Sequence, residues 1–158
     1  MNSMKKQIAV LLYNIRSAHN VGSIFRTADA AGVSKVYLVG VTPAPVDRFG
    51  RVQKDIAKTA LGAEKFIAWE YLKSATATIA TLRKEGWAIV GVEQGAKSVD
   101  YRKFKLTKPT LFILGNEVRG IPKSLRDVCD ELIEIPMRGK KESLNVSVAA
   151  GIILFSIH

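Results

Sequence analysis

Short apolar runs rich in β-branched residues alternate along this chain with stretches whose apolar positions recur at helical spacing. Runs at 8–13, 35–40, 88–92, 110–114 and 132–135 predict five strands. Helical stretches between them predict an α/β domain with a mainly parallel sheet flanked by helices. Ser74 is placed to cap a helix ending at Gly86, where a glycine takes the left-handed terminating conformation. Pro122 fits the first position of a helix reaching about Asp130. Segment 41–50, holding Pro43, Pro45 and Gly50, reads as a loop that opens into a basic segment. No internal repeat interrupts the pattern, and a single domain over residues 1–158 is expected.

Three segments carry candidate chemistry. In 14–32, Asn20 can cap a helix whose Val21, Ile24, Phe25 and Ala28 share one side. Gly22 and Arg26 then fall together on the opposite side, one turn apart, which leaves room for a ligand backbone beneath the arginine. Taken alone, this segment fits a solvent-facing arginine and a packing glycine better. In 111–122 an apolar strand ends in Gly115, and a polar turn with Asn116, Glu117 and Arg119 leads through Gly120 to Pro122. Ligands of parallel α/β sheets gather at such strand ends, although glycines around a carboxylate also suit a purely structural turn. No Lys-Ser/Thr pair follows these glycines, so the turn is not a P-loop. In 135–155 a strand end at Ile135 and Pro136 leads into a basic loop with Arg138, Lys140 and Lys141. Ser143 can cap the last helix, which is apolar almost all round from 144 to 155 and therefore implies burial on several faces, as in a homodimer.

Composition narrows the class further. A hydrophobic share of 47% and a charged share of 24% are those of a globular domain. The longest apolar stretch is broken by Asn145, Ser147 and Gly151 and falls well short of a bilayer span, so no membrane association is expected. Lys5 and Lys6 precede an apolar run too short for a signal sequence, which leads to an expectation of a cytoplasmic protein. The lone Cys129 excludes an internal disulfide and reads as a core thiol, and no Cys/His cluster has metal-ligand spacing, so no metal is expected. Lys and Arg total 24 against 14 Asp and Glu, a net charge of +10. That excess suits a polyanionic partner such as RNA and, equally, ordinary solubility charge.

Together, in this order, the three segments resemble the SpoU/TrmH-type (SPOUT superfamily) RNA 2′-O-ribose methyltransferases. The motifs are N-x-G-x-x-x-R-T at Asn20, Gly22, Arg26 and Thr27, G-N-E-x-x-G over 115–120, and I-P-M-x-G over 135–139 with S-L-N-V-S over 143–147. Nearly the whole chain is covered. A Rossmann-type methyltransferase is rejected, because Asn14, Ile15 and Arg16 stand where that fold needs a glycine-rich turn. The resemblance implies a deep C-terminal trefoil knot over approximately 110–158, an obligate homodimer and the cofactor S-adenosylmethionine. It assigns cofactor contacts to Leu114, Gly115, Ile135, Met137, Ser143 and Leu144. It assigns the reaction centre to Asn20, Arg26, Glu117, Ser143 and Asn145, some of which serve the partner's cofactor. Neither an added RNA-binding domain nor a basic extension is evident, so tRNA or rRNA recognition is expected to rest on this domain.

A guanidinium stays protonated at physiological pH, so Arg26 is read as a fixed positive charge and not as a general base. Glu117 is read as pinning its turn by accepting backbone N–H bonds, and His19 as a flanking or RNA-contacting residue. Candidate RNA contacts are Arg16, Arg51, Lys54, Lys58, Arg119, Arg138, Lys140 and Lys141. Lys103, Lys105 and Lys108 fit an added basic rim and a merely solvated face equally well. Tyr13, Tyr37 and Trp87 border strands and read as core. The rival reading is a catalytically silent RNA-binding module of the same fold, acting in ribosome assembly.

Overall fold

A computed structural model describes residues 6–158; the first five, Lys5 among them, lie outside the described residues. The chain runs β1 (Ile8–Tyr13), α1 (Ala18–Ala30), β2 (Lys35–Val39), α2 (Lys54–Ala60), β3 (Ala68–Leu72) and α3 (Thr76–Lys84). It continues as β4 (Ala88–Val92), β5 (Val99–Asp100), β6 (Thr110–Leu114), α4 (Lys123–Arg126), β7 (Glu131–Glu134) and α5 (Val146–Ser156). The strands form one sheet in the order β3-β2-β1-β6-β4-β7-β5, and every pairing is parallel. The α/β class with a mainly parallel sheet is therefore observed. Late strands sit between early ones: β6 lies between β1 and β4, and β7 between β4 and β5.

Alternation along the central strands builds a core on each face. Ile8, Val10 and Leu12 of β1 face the layer of α1, α2 and α5, where Phe25, Ile56, Ala150 and Leu154 are buried. Ala9 and Leu11 face α3 and α4, packing with Ile79, Leu82 and Leu125. Each fully buried apolar side chain contributes roughly 1.5–3 kcal/mol. Tyr37 is buried, and Tyr13 and Trp87 pack against the second core, as their positions beside strands predict.

Several local expectations need correcting. The cap of α1 is Ser17, whose side chain accepts from the Asn20 N–H, so Asn20 lies inside the first turn and its side chain is free for other partners. Gly22 does not make room for a ligand. It is buried, and a Cβ there would lie 1.9 Å from Thr59 Oγ1 and 2.4 Å from the Ile56 carbonyl, so α2 fills that space. Ala75, one residue beyond Ser74, caps α3, which ends before Gly86 at φ 90° as predicted. Pro122 is the cap of α4 and not its first residue, and that helix ends at Arg126 because the chain must turn at once into β7. Asn145 caps α5 in place of Ser143, accepting from the Ser147 N–H. Two strands have no counterpart among the five predicted: β3, an edge strand with mostly exposed residues, and the two-residue β5.

Candidate active site

In an all-parallel sheet every strand ends on the same edge, and here those exits are tied together. Asn14, just past β1, has φ 52°, a left-handed conformation that asparagine tolerates better than most residues. Its Oδ1 accepts from the Val41 N–H beyond β2 (3.0 Å), and its carbonyl accepts from Asn116 Nδ2 beyond β6 (3.1 Å). Gly40 has φ 72°, and a Cβ there would sit 1.9 Å from Asn14 Oδ1. The buried Thr42 hydroxyl donates to backbone carbonyls at the ends of β1 and β2 and accepts from the Ile15 N–H.

The turn over 115–120 doubles back on itself. Asn116 Oδ1 accepts from the Val118 and Arg119 N–H groups (2.8 and 3.2 Å), and the Asn116 carbonyl accepts from the Gly120 N–H (2.6 Å). At Gly115 a Cβ would meet the Gly120 carbonyl carbon at 2.5 Å and the Ile121 nitrogen at 2.7 Å, so only glycine allows this crossing. Glu93, beyond β4, accepts from the Ile121 N–H and braces the far side. The turn is thus pinned by Asn116 and Glu93. The expectation that Glu117 pins it is corrected: its carboxylate points out of the turn.

Glu117 Oε1 instead accepts from Asn20 Nδ2 on α1 (2.9 Å) and from the Val146 N–H at the start of α5 (3.3 Å). Asn145 Nδ2 donates to Asn20 Oδ1 (3.2 Å). Residues from three distant segments therefore form one cluster. Beside it lies a cavity of about 380 Å³ at the exits of β4, β6 and β7. Leu114, Gly115, Ile135, Met137, Ser143 and Leu144 all line it, with Glu117, Arg119, Glu93, Glu134 and Glu142.

Arg26 stands apart. It is exposed on α1 and does not line this cavity within its own chain. Arg16, Arg51, Lys54, Lys58, Arg119, Arg138, Lys140 and Lys141 are all exposed. Arg16 follows β1, Arg119 lies in the cavity turn, and Arg138, Lys140 and Lys141 sit in the loop after β7, all past strand exits. Lys54 opens α2 and Lys58 lies in its last turn, but Arg51 precedes the helix and pairs with Asp47 (2.8 Å). Lys108 lies two residues before β6 and so lies toward the opposite edge of the sheet. The bracing residues Asn14, Asn116 and Glu93 carried no role from sequence. A polar residue directly after an apolar strand marks Asn14 and Glu93, and Asn116 follows β6 after a single glycine.

This parallel sheet, with its cavity at interleaved strand exits, matches known proteins over nearly its full length. The chain belongs to the SpoU rRNA Methylase family, whose model matches residues 7–155. The 23S rRNA (guanosine-2′-O-)-methyltransferase RlmB of Vibrio parahaemolyticus is 36% identical over 148 residues, 94% of this chain and 57% of that protein. The tRNA (guanosine(18)-2′-O)-methyltransferase of Aquifex aeolicus is 32% identical over 155 residues, 98% of this chain and 70% of that protein. The AdoMet-bound rRNA methyltransferase of Sinorhizobium meliloti superposes with a TM-score of 0.85 at 34% identity, over 95% of this chain and 55% of the other. The chain thus spans little more than half the length of the Vibrio and Sinorhizobium relatives.

Proposed function

We propose that this protein is an S-adenosylmethionine-dependent RNA methyltransferase that methylates a ribose 2′-hydroxyl of tRNA or rRNA. The observation that carries the reading is the cavity at the exits of β4, β6 and β7, joined to the Asn20–Glu117–Asn145 cluster. Its volume lies within the range of about 300–1,000 Å³ usual for small-molecule sites. The apolar walls of Leu114, Ile135, Met137 and Leu144 suit an adenosine, and the lining glutamates suit a cationic sulfonium. When bound there, the cofactor supplies a methyl group that is already electrophilic.

What remains for the chain is to position and activate a poor nucleophile. Holding the ribose hydroxyl in line is worth up to about 7–11 kcal/mol in favourable cases. Asn20, Glu117 and Asn145 keep α1, the 115–120 turn and α5 at fixed separation, so the walls around the hydroxyl are rigid. Arg26 contributes a permanent positive charge beside the developing alkoxide and a neighbouring phosphate, and the proton passes to that phosphate or to water. Because Arg26 does not line its own chain's cavity, it serves the partner's in a homodimer. The half-exposed Val148 and Phe155 of α5 supply an apolar surface for such pairing. The position of β6 and β7 between earlier strands supports a trefoil knot over approximately 110–158. The exposed cations past the strand exits supply RNA contacts. A cytoplasmic site of action agrees with the tRNA and rRNA substrates named for the relatives. Among the described residues no helix is long and apolar enough to cross a membrane, and no group of three or more His, Cys, Asp or Glu is placed to hold a metal.

Calorimetry with S-adenosylmethionine and labelled-methyl transfer to total RNA test the reading. Cofactor binding with transfer to an RNA pool is expected. Binding without transfer to any pool would favour the silent RNA-binding module. Arg26→Lys is expected to lower turnover by about tenfold or more, because the planar fork is lost while the charge is kept. Near-complete retention would remove the need for a guanidinium.

A further inference from the structure

The loop after β2 holds an aromatic ring out into solvent. Phe49 is 66% exposed, and it is not left there by slack chain. Asp47 Oδ1 accepts from the Phe49 and Arg51 N–H groups (2.8 and 2.9 Å), and the Asp47 N–H donates to the Arg51 carbonyl. Val46 bridges Val52, and Pro45 accepts from the Gln53 N–H, which closes the base of the hairpin. The bonds donated to Asp47 by the Arg51 backbone, then the Arg51 side chain and the Phe49 backbone, hold its carboxyl below its usual range. The turn's backbone is therefore fixed where it carries the ring.

Its surroundings are cationic. The guanidinium carbons of Arg48 and Arg51 lie 4.8 and 5.0 Å from the ring centre. Lys54 and Lys58 follow on α2, all exposed. The platform also adjoins the candidate active site. It leaves the same strand-exit edge, and α2 is locked to the start of α1 by the Thr59 hydroxyl donating to the His19 carbonyl (2.9 Å). The next residue, Asn20, carries the bond to Glu117.

We propose that Phe49 is a stacking platform for an unpaired nucleobase of the RNA, with Arg48 and Arg51 gripping the adjoining phosphates. An aromatic face accepts any base, and arginines beside the ring add cation–π attraction. Duplex RNA offers no free base face and gains only the phosphate contacts. The platform thus selects a loop or bulge, and it presents the target ribose unpaired. This rests on the proposed RNA-modifying function and names the substrate feature read beside that site.

The test uses the full chain and an RNA hairpin carrying 2-aminopurine in its open loop, with a fully paired duplex of equal length as control. Wild type is expected to quench the loop fluorophore, and Phe49→Trp to keep the quenching. Phe49→Leu is expected to lose quenching and to bind the loop RNA about tenfold more weakly, with duplex affinity held within about twofold. Asp47→Ala, which unfastens the turn while leaving the ring, is expected to weaken loop binding as well. The platform is overturned if Phe49→Leu binds loop RNA like wild type, loses loop and duplex alike, or sediments as a smaller species. Labelled-methyl transfer by wild type runs beside these assays. Phe49-dependent quenching without transfer sinks the methyltransferase reading alone, and transfer with an unimpaired Phe49→Leu sinks the platform alone.

Discussion

Asn116 and Glu117 are adjacent in one turn, yet their side chains do opposite work. The amide of Asn116 turns inward to satisfy the turn's own N–H groups, which frees the carboxylate of Glu117 to reach α1 and α5. A carboxylate between glycines does not reveal from sequence which way it faces, because that depends on helices arriving from 97 and 29 residues away. Cys129 is simpler. Its apolar neighbours mark it as a buried core thiol, but in the fold it is only partly buried, packed against the second core with Sγ donating to the Leu125 carbonyl. Burial, aided by the negative charge of Asp130, raises its pKa from 9.0 to about 11. The neutral thiol is therefore the form favoured by folding. Its contribution is complete below pH 9 and is lost as pH rises toward 11. Iodoacetamide labelling of the native protein should stay slow through neutral pH and accelerate only as pH approaches about 11. Rapid labelling at pH 8 would show that the thiol is not shielded. Asp100 has the opposite sign. Hydrogen bonds from Arg102 lower it from 3.8 to about 2, so its contribution persists until the solution is more acidic than pH 4.

Elements buried on both faces were legible from sequence, and elements at the edges were not. β1, β4 and β6 carry continuous apolar runs because helices cover both sides of them, and their predicted limits coincide with the observed ones. β3 has only partial cover, so its Trp69, Glu70 and Tyr71 give neither an apolar run nor strict alternation. The apolar stripe of α1 was plain for the same reason, since Val21, Ile24, Phe25 and Ala28 are all fully buried. Its opposite side was misread at Gly22, because spacing tells that a face is shared and not which neighbour occupies it. That neighbour is α2, and the contact is tight enough to test. Gly22→Ala gains about 1 kcal/mol of helix propensity. It must also push aside the Ile56 carbonyl, 2.4 Å from the new methyl, which is backbone and moves only with its helix. Overpacking of this kind costs about 1–3 kcal/mol, so a net loss is expected. For a domain of this size it lowers the melting temperature by roughly 2–4 °C per kcal/mol. Thermal unfolding followed by circular dichroism checks it. An unchanged or raised melting temperature would show that α1 and α2 have slack between them.

At the scale of the whole molecule, the chain holds the cavity and most of the proposed reaction centre, and Arg26 stands apart from both. Asn20, Glu117, Ser143 and Asn145 gather around or beside the cavity, whereas Arg26 lies farther along α1, about 9 Å from Asn20 along the axis and on another side of the helix. Sequence spacing could place the arginine on its helix, but a second copy leaves no periodic trace that says whose cavity it faces. If the proposed homodimer places Arg26 over the partner's cavity, two defective chains can repair one another. Arg26→Ala removes the charge and keeps its own cavity. Gly115→Ala disrupts a cavity wall, since the added methyl collides with the backbone of Gly120 and Ile121, and keeps its own arginine. Each variant alone is expected to lose methyl transfer. Random re-association of equal amounts puts half of the dimers in mixed form, each with one intact site of two, so recovery to about a quarter of wild-type transfer is expected. Sedimentation of Val148→Glu and Phe155→Glu chains provides the companion measurement, because a charge on that face of α5 is expected to yield monomers that still bind S-adenosylmethionine weakly and transfer nothing. No recovery in the mixture, with mixed dimers shown to form, would place Arg26 over the cavity of its own chain.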